Sequence, residues 1–134
     1  MNNKVEYAKA YRNTDVYSGT LYADPHTLIT QMFDGVLTRI AQAREAIQQQ
    51  DFASKAEVLS KAVLIIGALE GCLNFDQGGE IAANLSSLYE YMGLRLAEAN
   101  LQNDIGKLDE VAGLLQEIRT AWVQIPSLVE KASA

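Results

Sequence analysis

The chain of 134 residues contains two prolines, Pro25 and Pro126, and the roughly 100 residues between them contain none. Proline lacks a backbone N–H and its ring collides with the preceding helical turn, so an interval without proline permits long, uninterrupted helices. Within this interval, apolar residues recur every three or four positions, which is the spacing of one buried helical face. The pattern therefore predicts an all-α fold.

Residues that favour helix ends divide the interval into four helices of about 20 to 25 residues. Asp24 followed by Pro25 is a typical start, because aspartate accepts hydrogen bonds from free N–H groups and proline suits the first helical position. The second helix is predicted to start at Asp51, the third at Glu80 after a glycine-containing turn over 75–79, and the fourth at Asp104. The fourth helix is predicted to end at Pro126.

The connections between these helices are too short to cross the length of a helix, so successive helices must be antiparallel neighbours. The sequence predicts an antiparallel up-down four-helix bundle over residues 24–126, followed by a C-terminal tail over 127–134. Residues 1–23 form a separate N-terminal segment that holds four of the six tyrosines. Tyr7 and Tyr11 are four positions apart, which suits one side of a short helix. The segment could be either a permanent cap on the core or a displaceable lid.

Charge and apolar run lengths exclude several classes of partner. The net charge is −6, and no basic cluster is present to neutralise phosphates, so nucleic acid is not expected as a partner. The longest apolar run, residues 62–69, is far shorter than the roughly 20 residues of a membrane helix, so no membrane insertion is expected. The single cysteine, Cys72, indicates a reducing compartment.

Residues that could support catalysis or bind a metal are scarce. The one histidine, His26, is predicted to lie in the first turn of the first helix, and no Glu-x-x-His pair is present. The glutamates fall mainly off the inward stripes and are predicted to face solvent: Glu45, Glu57, Glu70, Glu90, Glu98 and Glu110. We therefore expect no metal site, no cofactor and no enzymatic activity.

The third helix carries more apolar surface than one buried face requires. At about 100° per residue, a second stripe lies roughly 80 to 120° from its core face. This stripe contains Asn84, Ser87, Tyr91, Leu94, Glu98 and Leu101. On the second helix, Leu64 also lies off the main apolar stripe. An exposed apolar strip of this kind is typical of a surface that binds another helix, although isolated exposed apolar residues are also common on ordinary proteins.

A continuous run in the third helix resembles a known family. Residues 78–92 read GGEIAANLSSLYEYM, and Arg95-Leu96 and Ala99-Asn100 follow. This ordered set is similar to the pattern of the FliS flagellin export chaperones, and Leu114-Leu115 with Ala121-Trp122 further along support the likeness. Phe33 stands where the family usually has a tyrosine, so a hydroxyl group is missing there.

The resemblance implies a cytoplasmic four-helix chaperone without enzymatic activity. Its client would be the disordered C-terminal region of flagellin, which it would keep from polymerising before export through the flagellar type III apparatus. Components of the export gate would be further partners, and the chaperone itself would be a monomer or a weak homodimer. The family also has an N-terminal segment that covers part of the binding groove, so Tyr7 and Tyr11 would be contacts of a lid.

Together, the surplus strip and the resemblance give a predicted partner-binding set: Leu64, Asn84, Ser87, Tyr91, Leu94, Arg95 and Leu101. The alternative is a non-catalytic adaptor or signalling bundle with a different helical client. A histidine phosphotransfer protein that uses His26 is a more distant alternative.

Overall fold

A computed structural model of the chain describes the backbone of residues 24–133 and the side chains of residues 24–125. This part of the chain is helical and contains no strand, which confirms the predicted all-α class. The helices are α1 (Pro25–Gln48), α2 (Phe52–Gly71), α3 (Phe75–Gln102) and α4 (Ile105–Ser133).

The four helices pack as a closed ring in which each helix contacts its neighbours in sequence, and α1 also contacts α4. Connections of two or three residues reverse the chain between successive helices, so the bundle is up-down and antiparallel. The core lies between the four helices. Its largest fully buried side chains include Met32, Phe33, Leu59, Leu69, Met92, Leu96, Leu108 and Leu115.

Side-chain caps begin α1, α2 and α4 where the sequence predicts them. The Asp24 carboxylate accepts a hydrogen bond of 2.7 Å from the N–H of Thr27, and this bond lowers the pKa of Asp24. Asp51 and Asp104 accept equivalent bonds from the third residue after them, each at 3.2 Å. Each carboxylate satisfies an N–H that has no partner within its helix.

The start of α3 differs from the prediction. The helix begins at Phe75, after a cap by Asn74, and not at Glu80. Its first turn is separated from the rest by a kink at Gly79, where φ is 49° and ψ is −122°. The glycine turn over 75–79 predicts a positive φ, and Gly79 has one. This residue lies within α3, however, and not in a turn before the helix.

The predicted end of α4 at Pro126 is wrong, because the helical backbone continues to Ser133. Proline supplies no N–H, so the carbonyl of Trp122, four residues earlier, lacks its usual helical donor. The His26 side chain provides a donor instead, with Nε2 at 2.8 Å from the Trp122 oxygen. His26 lies in the first turn of α1, as predicted, and is half-buried in this contact.

The prediction that Glu70 faces solvent is wrong, because Glu70 is buried. It is 8% exposed, and its Oε2 accepts a hydrogen bond of 2.6 Å from the hydroxyl of Ser86 on α3. A buried carboxylate requires such a partner, since an unpaired charge in the interior is costly.

None of the helices among the described residues is long and apolar enough to cross a membrane.

Candidate partner-binding surface

The outer face of α3 carries exposed apolar side chains, as the periodicity predicts. Leu94 is 62% exposed, Leu101 is 85% exposed and Tyr91 is 39% exposed. The opposite face of the same helix enters the core and includes Met92 and Leu96. We call the outer face the α3 strip. Its predicted members are Asn84, Ser87, Tyr91, Leu94, Glu98 and Leu101; Glu98 is half-buried and the others are exposed.

A shallow cavity of about 360 Å³ runs between α2 and α3 beside the strip. We call it the α2/α3 groove. Leu64, which is 46% exposed, lies on its α2 wall. The lining is mainly apolar and comprises Leu59, Ser60, Val63, Leu64, Leu96, Ala97 and Asn100. The exposed apolar residue predicted on α2 therefore lies on a concave surface that α3 shares.

On its other side, the α3 strip meets α4 through a polar seam. The Tyr91 hydroxyl donates to Glu110 Oε2, and Arg95 Nε donates to Glu110 Oε1 at 2.9 Å. Arg95 also pairs with Glu98 at 3.3 Å, and its guanidinium lies 5.7 Å from the centre of the Tyr91 ring. These contacts orient both Tyr91 and Arg95 along the seam.

The contacts of the seam lower the pKa of Glu110 and raise the pKa values of Tyr91 and Arg95. The hydrogen bonds from Tyr91 and then Arg95 favour the ionised carboxylate, so the pKa of Glu110 falls below its ordinary value. The bond to Glu110 favours the neutral phenol, so the pKa of Tyr91 rises. Arg95, in turn, has a raised pKa because its guanidinium donates to Glu110.

The structure distributes the predicted site residues over one continuous side of the bundle and not within one cluster. Leu64 belongs to the α2/α3 groove, whereas Tyr91 and Arg95 belong to the seam with α4. Leu94 and Leu101 lie on the outer face between them. Arg95 is already paired with two carboxylates, so its role within the chain is to fix the seam.

A second, larger cavity was not predicted. It has a volume of about 700 Å³ and lies at the end of the bundle where α1 begins, near the α2–α3 turn. We call it the end cavity. The exposed apolar residues Ile81 and Ile125, at 72% and 43% exposure, lie on its wall. Both residues follow the core periodicity of their helices. The apolar stripes of these helices therefore continue beyond the packed part of the bundle, and this continuation is the sequence feature that could have indicated the cavity.

The remaining predictions concern the two lid tyrosines and the expected absence of a metal site. Tyr7 and Tyr11, the predicted lid contacts, lie outside the described residues. Within the described part of the chain, no group of three or more histidine, cysteine, aspartate or glutamate side chains is arranged to hold a metal ion. The surface formed by the α3 strip and the α2/α3 groove is suited to contact with an apolar helix.

Comparison with known proteins gives consistent matches over most of the chain. Residues 5–129 match the family described as "Flagellar protein FliS". The flagellar secretion chaperone FliS of Salmonella typhimurium is 48% identical over 118 residues, which cover 87% of each chain. FliSB of Pseudomonas aeruginosa, also named a flagellar secretion chaperone, is 43% identical over 85% of this chain and 90% of its own. The Bacillus subtilis FliS is 37% identical over 86% of this chain and 82% of its own.

Proposed function

The chain belongs to the FliS family, and on that premise we propose that this flagellar export chaperone binds the C-terminal segment of flagellin. Membership of a chaperone family also implies a binding protein and not an enzyme. The observation that carries the proposal is the exposed apolar α3 strip beside the α2/α3 groove.

The strip and the groove match what an amphipathic client helix requires. Such a helix lays apolar side chains at spacings of three and four residues into a complementary channel. Leu94 and Leu101 are both exposed and lie seven positions apart, which places them two turns apart on the same side of α3. Leu64 forms an apolar rim on the opposite wall of the groove. A client helix at this surface would remove all three side chains from water, which is favourable at about 25 cal/mol per Å² of apolar area.

Binding at this surface would prevent polymerisation of flagellin by occupying the apolar face that flagellin otherwise presents to other copies. It would also keep the client unassembled in the cytoplasm and competent for type III export. A client that is disordered when free loses conformational entropy when it is ordered on the chaperone. This loss reduces the net affinity, so release at the export gate, whose components are further proposed partners, needs only a moderate free energy.

Residues 1–23 complete the proposal as a displaceable lid. They join the bundle at Asp24, the cap of α1. Tyr7 and Tyr11 would contact the apolar surface of the bundle when no client is bound, and would leave it when the client competes for the same surface.

Calorimetry with a C-terminal flagellin fragment tests the proposal. We expect the double variant Tyr91→Ala/Leu94→Ala to raise the Kd by about tenfold or more, because truncating buried contacts at the centre of an interface costs at least 1 kcal/mol each. Circular dichroism should show unchanged helicity, since both side chains lie outside the core.

Two control variants make the test specific. Tyr91→Phe removes the hydroxyl bond to Glu110 but keeps the ring, so it should retain most of the affinity. Phe75→Ala removes an apolar side chain of similar exposure, 52%, from the same helix outside the strip, and should not weaken binding. If wild-type protein fails to bind the fragment, the client is a different helical protein; if the folded double variant binds as the wild type does, the strip is not the site.

A further inference from the structure

Among the side chains of residues 24–125, two charged groups are buried, and both project from α2 to α3. Lys55 is 6% exposed and Glu70 is 8% exposed. Lys55 Nζ donates to the backbone oxygen of Asn100 at 2.7 Å and to Oδ1 of Asn103 at 2.5 Å. Glu70 accepts from Ser86, on the first half of α3. Each end of the antiparallel α2–α3 pair is therefore joined by a polar contact.

These two contacts lie on either side of the α2/α3 groove. Lys55 and Glu70 are 15 positions apart, which corresponds to about 22 Å along a helix. The α2 residues that line the groove, from Leu59 to Leu64, lie between them. Asn100, which lines the groove from α3, is itself a partner of Lys55.

The Lys55 contact holds the C-terminal end of α3 in one conformation. The last carbonyls of a helix lack intrahelical partners and carry the negative end of the helix dipole, so an ammonium group is well placed there. Asn103 ends the helix in the left-handed region, with φ 53° and ψ 44°. Its side chain is fixed by the bond to Lys55, whose Nζ also lies 5.3 Å from the centre of the Phe52 ring.

Buried charges of this kind stabilise a fold little, because their desolvation offsets much of the gain from pairing. Their better-attested effect is to specify one arrangement of the helices, since a shift in register would leave the charge without partners. A one-turn slip of α2 along α3 would preserve many apolar contacts but would break both polar ones.

We infer that Lys55 and Glu70 are positioning residues that fix the register and spacing of α2 against α3, and thereby hold the α2/α3 groove in the shape that the client helix occupies. This inference rests on the proposed function. A groove that is already formed spares the client the cost of ordering the chaperone's side chains, so loosening it should weaken binding without unfolding the protein.

The geometry of the groove is measured with nitroxide labels on cysteines introduced at Ser60 and Ala97, which line opposite walls. Both labels are placed in a Cys72→Ser background, because Cys72 is the one native thiol. Pulsed electron paramagnetic resonance should give a narrow distribution of distances in this background. Lys55→Met, which keeps an unbranched side chain of nearly the same length but removes the ammonium, should broaden or shift the distribution.

The affinity of the unlabelled variants for the C-terminal flagellin fragment is measured in parallel. Lys55→Met should weaken binding by about tenfold, equivalent to the loss of about 1.4 kcal/mol. Ser86→Ala, which removes the hydrogen bond between α3 and Glu70 at the other end, should act in the same direction. Lys61→Met is the matched control on the same helix: Lys61 is exposed and pairs with Glu57 at 3.3 Å, so both measurements should match the wild type.

Asn103→Gly provides a second variant if Lys55→Met does not fold. Glycine adopts the left-handed conformation readily and removes one acceptor of Lys55, so it should also broaden the distances and weaken binding. An unchanged distance distribution, or unchanged affinity in folded variants with a broadened distribution, overturns the inference. Failure of the wild type to bind the fragment contradicts the proposed function instead, and the two failures are thus distinct.

Discussion

His26 and Trp122, 96 positions apart, join the start of α1 to the second half of α4 by three contacts. Their rings stack with centroids 4.6 Å apart and an interplanar angle of 10°. His26 Nε2 lies 2.8 Å from the Trp122 carbonyl oxygen, and Trp122 Nε1 donates to the His26 carbonyl at 3.2 Å. Because a carbonyl oxygen only accepts, the hydrogen must be on Nε2. The histidine thus replaces the backbone donor that Pro126 lacks.

This relationship predicts coupling between His26 and Pro126. His26→Ala should lower the free energy of unfolding by roughly 2 kcal/mol, through loss of the hydrogen bond and of the ring stacking. In a Pro126→Ala background, residue 126 supplies an N–H to the Trp122 carbonyl, so the same substitution should cost about 1 kcal/mol less. Urea unfolding of the four proteins measures the difference. Equal costs in the two backgrounds would show that His26 does not compensate for the proline.

The seam between α3 and α4 predicts a specific dependence of stability on pH. The folded-state pKa of Glu110 lies below its ordinary value of 4.5, so its contribution is present above that value and is lost as the pH falls through the folded pKa. We expect the urea midpoints of the wild type and of Tyr91→Phe to differ at about pH 6 and to converge towards about pH 3. Tyr91→Phe removes the largest cause of the shift. A gap that stays constant with pH would contradict this assignment.

The kink in α3 predicts opposite effects of alanine at two glycines of the same helix. A Cβ at Gly79 would contact nothing within 4 Å, but φ is +49° there, so Gly79→Ala should destabilise through backbone strain by about 1–3 kcal/mol. Gly93 also has open space around a Cβ but lies within the regular helix, so Gly93→Ala should stabilise by about 0.5–1 kcal/mol. Thermal unfolding measures both changes. Stabilisation by Gly79→Ala would mean that the kink is not needed.

The lid proposal predicts the effect of a truncation. Deleting residues 1–17 should leave the affinity for the flagellin fragment unchanged or increase it, because a displaceable segment competes with the client for the same surface. Titration calorimetry of the truncated and full chains with one fragment makes the comparison. A large loss of affinity would instead identify the segment as a permanent wall of the site.

Features that depend on neighbouring residues were predictable from the sequence. The caps at Asp24, Asp51 and Asp104 follow from side chains that bond to N–H groups three residues later. The exposure of Leu94 and Leu101 follows from helical periodicity alone, because both lie on the side of α3 away from its core stripe.

Features that depend on partners in other helices were not predictable. His26, Lys55 and Glu70 are polar residue types that are usually found on the surface. Each is buried or half-buried here beside a partner that is distant in the sequence, 96 positions away for His26, 45 for Lys55 and 16 for Glu70. For Ile81 the error has the opposite sign. Its periodicity predicts a buried core residue, but it lies near the end of the bundle and is 72% exposed. Periodicity identifies which face turns inward and does not identify where packing stops.

The contact between the start of α1 and α4 also determines where an inserted reporter would interfere. The first turns of α1 and the α4 residues Trp122 and Ile125 lie at one end of the bundle, beside the end cavity. A fluorescent domain or affinity tag inserted at this end would therefore crowd that cavity. The turn at Gln50, which is exposed and has a φ of 61°, lies at the opposite end and offers an insertion point that leaves the cavity accessible.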